Sequence, residues 1–113
     1  MGKGRISIHT IQGLAAFYSL YNATYFDNTL PECTLRYVPG LRNGRVLVDG
    51  LCEKLDGHFT ISIREGIGAR DARIVLLHEM NHIDLWPKSH RSKAWKKSIK
   101  RFADAGFLEH VFN

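Results

Sequence analysis

Apolar residues along this chain recur first at helical spacing, then at strand spacing, and return to helical spacing in the second half. Ile11, Leu14, Ala15, Tyr18 and Tyr25 fall on one side of a 3.6-residue repeat, and Thr10 before them is a good helix cap. Residues 10–26 are therefore expected to form a helix. The turn-forming stretch Asp27-Asn28-Thr29-Leu30-Pro31 ends it. Three strand-like runs follow, at residues 34–38, 45–48 and 58–63. Pro39-Gly40 ends the first, Asn43-Gly44 precedes the second and Asp56-Gly57 precedes the third. Such turn signals predict hairpins, and so a small, mainly antiparallel sheet of three strands. Residues 51–57 are ambiguous and are compatible with an extension of the second strand.

A second helix is expected to start at Asp71, a good N-cap, after the flexible Glu65-Gly66-Ile67-Gly68. It runs to about Leu85 and must stop before Pro87, which lacks an N–H and crowds the preceding turn. A third helix is expected from Ser89 to about Ala105, with Gly106 as its stop. Trp95, Ile99, Phe102 and Ala103 would form its apolar stripe. No repeat or low-complexity segment interrupts the pattern. The expectation is one domain over residues 1–113, of α+β class, with three helices packed on the three-stranded sheet.

Composition narrows the possibilities. Of 113 residues 44% are hydrophobic and 11% aromatic, which excludes disorder as the main state. No apolar run approaches the roughly 20 residues that a membrane-crossing helix needs. Met1-Gly2-Lys3-Gly4-Arg5 leads into no apolar signal segment, and Ile6 stands where myristoylation wants Ser or Thr. A cytoplasmic protein without membrane partners is the expectation, with Cys33 and Cys52 as reduced core thiols. Two cysteines are too few for an all-cysteine zinc site. The net charge of +5 is concentrated: seven of the 16 bases lie between Lys88 and Arg101, with no acid among them. An anionic partner would be met there.

The strongest chemical signal is His78-Glu79-Met80-Asn81-His82. Histidines at i and i+4 stand one turn apart on one helical face, from which both rings reach a single metal ion at about 2.0–2.1 Å. Glu79 projects beside them, placed to take a proton from a metal-activated water rather than to be a third ligand. The run Ile74-Val75-Leu76-Leu77 before the motif predicts a buried helix, in which two histidines and a glutamate would be costly without a metal to engage them. A catalytic zinc wants a third protein ligand and one open position. His90, beyond the break at Pro87, is the expected third ligand. Asp84, Glu109 and His110 are its rivals, although Asp84 points away from His82 on the same helix. His9 and His58 read as structural histidines, and His58 at a strand start has the option of facing the cleft.

His78-Glu79-Met80-Asn81-His82 followed by His90 and Trp95 resembles the zinc site of the SprT-like metallopeptidases, a zincin family that includes the Spartan DNA–protein-crosslink proteases. Tyr21-Asn22-Ala23-Thr24-Tyr25-Phe26, followed by Leu30-Pro31, is similar to that family's N-terminal signature. The likeness covers roughly residues 15–103. It also extends to related small zincins such as the WLM and YgjP-like groups. It lacks the paired-cysteine zinc ribbon and the accessory regions of Spartan proteins, so only the core site is carried over. The resemblance implies a minimal zincin-like domain holding one Zn²⁺ per chain on His78, His82 and His90, with Glu79 as general base for hydrolysis of a protein or peptide substrate.

An oxyanion donor is also expected, with Tyr18, Tyr21, Tyr25 and Tyr37 as candidates, each of them also suited to packing. In zincins an extended substrate pairs with a sheet edge beside the active helix, so residues 58–63 or 45–48 would present that edge. The family further suggests that Lys93, Lys96, Lys97, Lys100 and Arg101 hold DNA non-specifically and bring DNA-associated proteins to the site. The alternative is a zinc-stapled, non-catalytic module that docks on DNA through residues 88–101.

Overall fold

The computed structural model describes residues 6–107, which form a small α+β domain. Helix α1 spans Ile11–Tyr25, and the Thr10 hydroxyl caps it by accepting from the Gly13 N–H at 2.9 Å. Leu14, Tyr18, Tyr21 and Tyr25 recur at three- and four-residue steps and are buried. Ile11 and Ala15 stay exposed, although Gly13 and Leu14 between them are buried. The helix ends where Asp27 and Asn28 adopt positive φ, which these short polar residues tolerate better than most. The Asn22 carboxamide then pairs with both backbone groups of Leu30 at 3.1 Å, and Tyr18 Oη donates to the Pro31 carbonyl at 2.6 Å. The segment Asn22 to Pro31 is thus a clamp that fixes the approach to the first strand.

Five strands follow: β1 Thr34–Val38, β2 Arg42–Asn43, β3 Val46–Leu47, β4 Gly50–Leu55 and β5 His58–Arg64. The main sheet has the order β1-β5-β4, with β1 parallel and β4 antiparallel to β5. Three strands were expected, but the partition differs. The run 45–48 supplies β3, which among the described residues pairs only with β2, in a separate hairpin. The ambiguous segment supplies β4, the true hairpin partner of β5. Its turn, Asp56-Gly57, has positive φ at both residues, as a tight two-residue hairpin turn requires. Phe59, Ile61 and Ile63 alternate along β5 and face the core. Ser62, on the opposite face, accepts from Arg36 Nε at 2.7 Å.

Helix α2 spans Ala69–Asp84. Gly68, not Asp71, is its N-cap; Asp71 lies in the first turn, where a carboxylate complements the helix dipole. Ala72, Leu76, Met80 and Ile83 form the face laid on β4 and β5, and α1 packs on β1 and α2. Burying each large side chain of that face contributes about 1.5–3 kcal/mol.

Helix α3 spans Lys93–Asp104, four residues later than expected. Ser92 caps it, accepting from the Trp95 N–H at 3.1 Å, whereas Ser89 uses its hydroxyl in a local turn with the Arg91 N–H. Trp95, Ser98 and Phe102 are buried, while Ile99 and Ala103 of the expected stripe are exposed. Phe102 packs edge-on against Tyr25 and Phe26. Cys33 and Cys52 are free thiols packed at the core margin. Among the described residues no helix is long and apolar enough to cross a membrane.

Candidate metal centre

His78 and His82 project from the same side of α2, one turn apart, as their spacing predicted. After α2 the chain turns through residues 85–92, where Lys88 N–H bonds to the Leu85 carbonyl and Ser92 N–H to that of Ser89. This turn returns His90 to the helix it left. His90 Nε2 lies 3.1 Å from His78 Nε2 and 2.8 Å from His82 Nε2, and the three ligand atoms all fall within 4.8 Å of one another. These three histidines are close enough to hold one metal ion. The third position was expected at the head of α3; it lies instead in the connecting turn.

The donor chemistry fits a cation. One imidazole nitrogen carries either a hydrogen or a lone pair. His90 Nε2 therefore cannot donate to one neighbour and accept from the other, and its two short contacts cannot both be ordinary linear hydrogen bonds. Three lone pairs directed at one ion remove the conflict. The rings are also in the right state. Burial, and then the proximity of His82 and His90, holds the His78 pKa down at about 4, and burial followed by His90 lowers that of His82. Both are neutral at physiological pH, as metal ligands must be. Trp95 packs against all three imidazoles, its ring 5.0, 4.5 and 4.6 Å from those of His78, His82 and His90. The Ser92 cap that starts α3 thereby also fixes the aromatic support of the site.

Glu79 shares a cleft of about 540 Å³ with the three histidines and is only 5% exposed. Burial pushes its carboxyl pKa up to about 7. One wall is α2. The other is the start of β4 and the chain leading into it, from Val48 to Cys52. Apart from Glu79, Asp49 and the histidines the lining is uncharged, and Asp49 is bound by Arg64 at 2.6 Å. Cys52 lies in the cleft as a protonated thiol, its pKa pushed up to about 12 by burial and then by Glu79.

Other candidates lie elsewhere. Asp84 is exposed and outside the histidine cluster. Glu109 and His110 fall outside the described residues. His58 bonds to Thr34 at 2.8 Å and does not line the cleft, and His9 is exposed. None of the four tyrosines lines it either: Tyr37 donates to the Ile8 carbonyl, Tyr18 to that of Pro31, and Tyr21 and Tyr25 belong to the core.

Among the expected nucleic-acid contacts, Lys93, Lys96, Lys97 and Lys100 are exposed on α3. Arg101 is exposed too, but its guanidinium is engaged within the fold, donating to the Tyr25 carbonyl. The sequence reading missed the β4 wall, Gly50 above all, and the fully buried Asn81, whose carboxamide has no hydrogen-bond partner among the described residues. The one available signal for the wall was the hairpin turn Asp56-Gly57, which implies a strand before it.

Compared with known proteins, no family model, no curated protein and no solved structure matches this chain. The functional reading rests on the site.

Proposed function

We propose that the protein is a zinc-dependent peptidase of the SprT-like type. The observation that carries this reading is the convergence of three imidazole nitrogens beside a buried carboxyl group in one cleft. His78, His82 and His90 would hold the ion. A zinc ion bound there supplies a Lewis acid for the scissile carbonyl and acidifies a water. Glu79 would take a proton from the attacking water and return it to the leaving amine. Burial, which raises its pKa in the metal-free protein, makes it a stronger base than an exposed carboxylate.

The substrate backbone has a place to pair. Residues 58–63 cannot serve, because β5 is central and bonded on both sides. β4 has one partner, β5, among the described residues, and its first residues line the cleft. An extended peptide adds there as a further strand. The apolar lining favours substrates that are locally unfolded and expose hydrophobic residues.

The test is metal analysis paired with peptide cleavage. About one zinc per chain is expected, and Glu79→Gln should keep the metal while losing about 10²–10⁴ in rate. A Glu79→Gln protein as active as the wild type rejects the mechanism. The second reading, a zinc-stapled DNA-binding module, is favoured by one observation, the exposure of Lys93, Lys96, Lys97 and Lys100. Salt-dependent DNA binding without cleavage of any peptide in the zinc-loaded protein would select it.

A further inference from the structure

A second cavity, of about 190 Å³, lies between α2 and α3. Ile74, Leu77, Ile99, Phe102, Ala103 and Phe107 line it, and His78 is its one polar neighbour among the described residues. Two features connect it to the cleft. Ile74 and His78, one turn apart on α2, line both spaces. They form a ridge with Glu79 on one side and the apolar cavity on the other. The cavity also reaches solvent, because Ile99 is 44% exposed and Ala103 is exposed.

We infer that this cavity is a subsite for one apolar side chain of the peptide being cut, at a residue beside the scissile bond. The inference rests on the peptidase reading and specifies its substrate. A peptide lying along the cleft must pass the His78–Ile74 ridge. A side chain directed over that ridge enters a space with no charged lining and no hydrogen-bonding group other than a metal-ligand imidazole. A polar side chain would give up its hydrogen bonds to water there and find none in return. The volume selects size as well. A protein cavity of about 150 Å³ lined by Leu, Ile and Phe accepts benzene, so this one suits a Leu, Met or Phe side chain. The arrangement also explains why Ile99 stays exposed on a helix whose other large apolar residues are buried: it forms the rim.

Two measurements test this. The first is digestion of an unfolded protein mixture by the zinc-loaded protein, with cut sites read by mass spectrometry. Leu, Met and Phe should exceed Gly at one position next to the cut by about tenfold or more. Ala103→Phe, which places a ring in the cavity from an exposed helical position, should collapse that ratio. The second uses the metal-free protein and benzene as the probe. The methyl resonances of Ile99 and Ala103 should shift on titration, and those of Ile99 should stop responding in Ala103→Phe. Cleavage with no apolar preference, or a preference that survives Ala103→Phe, overturns the subsite and leaves the peptidase standing. Methyl shifts with benzene but no cleavage of any peptide overturn the peptidase, and with it the assignment of the occupant as a substrate residue. No methyl shift overturns the cavity itself as an apolar site.

Discussion

Gly50, the first residue of β4, lies so close to Glu79 that a methyl group added to it would stand 2.8 Å from Glu79 Oε2 and 2.4 Å from Val75 Cγ1. The absence of a side chain at this position lets the sheet edge and α2 approach, and it presses the carboxyl group into its desolvated seat. Gly50→Ala must push β4 and α2 apart or turn Glu79 aside. The expected cost is about 1–3 kcal/mol of stability, typical of overpacking. Cleavage should fall while metal content holds, because none of the three histidines is among the clashing atoms. Denaturant unfolding and metal analysis of the variant check this, and a Gly50→Ala protein of wild-type stability and rate contradicts it.

The seat of Glu79 also has a pH signature in the metal-free protein. Its folded-state pKa, about 7, lies above the ordinary 4.5, so between these values the folded protein keeps a proton that the unfolded chain has lost. The stability linked to this group is complete below 4.5 and is lost as pH rises through 7. Comparing metal-free wild type with Glu79→Gln isolates it. The variant's relative stability should rise by up to about 3 kcal/mol between pH 4.5 and 8 and then level off. His78 has the opposite sign, losing stability as pH falls from 6.5 towards 4, but it is present in both proteins and cancels. A difference that is flat with pH would show that Glu79 is solvated.

The legible and illegible parts of the molecule divide by the distance over which their causes act. His78, Glu79 and His82 are fixed by one turn of helix, and their spacing alone put both imidazoles on one side. His90 followed from Pro87, which had to end α2 and turn the chain. The sheet was harder. The Asn43-Gly44 signal does mark a hairpin, but a short one between β2 and β3, and nothing local says that β1 bypasses it to pair in parallel with β5. β4 was obscured because none of it is fully buried: Gly50, Leu51 and Cys52 are half-buried and Glu53, Lys54 and Leu55 are exposed, so the alternation that marks a strand is absent. The contact between Gly50 and Glu79 joins two elements far apart in sequence and leaves no local trace.

Trp95 provides a direct readout of the proposed ion. Its indole lies 4.5–5.0 Å from all three imidazoles, so a cation held by them changes its surroundings. Adding zinc to the metal-free protein should change tryptophan emission with a one-to-one endpoint. Trp86 also lines the cleft, so Trp95→Phe is the control: the response should shrink sharply. His90→Ala removes one of three ligands and should weaken binding by at least about tenfold, the lower end of what is lost when only a ligand's supporting contact is removed. Unchanged zinc affinity in His90→Ala would exclude it as the third ligand.

The basic face of α3 separates into two kinds of residue. The Arg101 guanidinium donates to the Tyr25 carbonyl and lies 4.8 Å from the centre of the Phe102 ring and 5.8 Å from that of Phe26. It braces α3 against the end of α1. Lys93, Lys96 and Lys97 are exposed, and Lys100 pairs with exposed Asp104 at 2.9 Å, a contact of little energetic weight. If DNA is held here, the lysines hold it and Arg101 contributes through the fold. Arg101→Ala should therefore lower stability by about 1–2 kcal/mol, from the charge-assisted hydrogen bond and the ring contacts. Each of Lys93→Ala, Lys96→Ala and Lys97→Ala should leave stability within about 0.5 kcal/mol of wild type and reduce the salt dependence of DNA binding by about one ion. Binding titrations at several salt concentrations, run beside thermal melts, separate the two effects. Loss of DNA affinity in Arg101→Ala alone, with all three lysine variants unaffected, would place the nucleic acid elsewhere. An absence of binding even at low salt would remove DNA from the account of this protein.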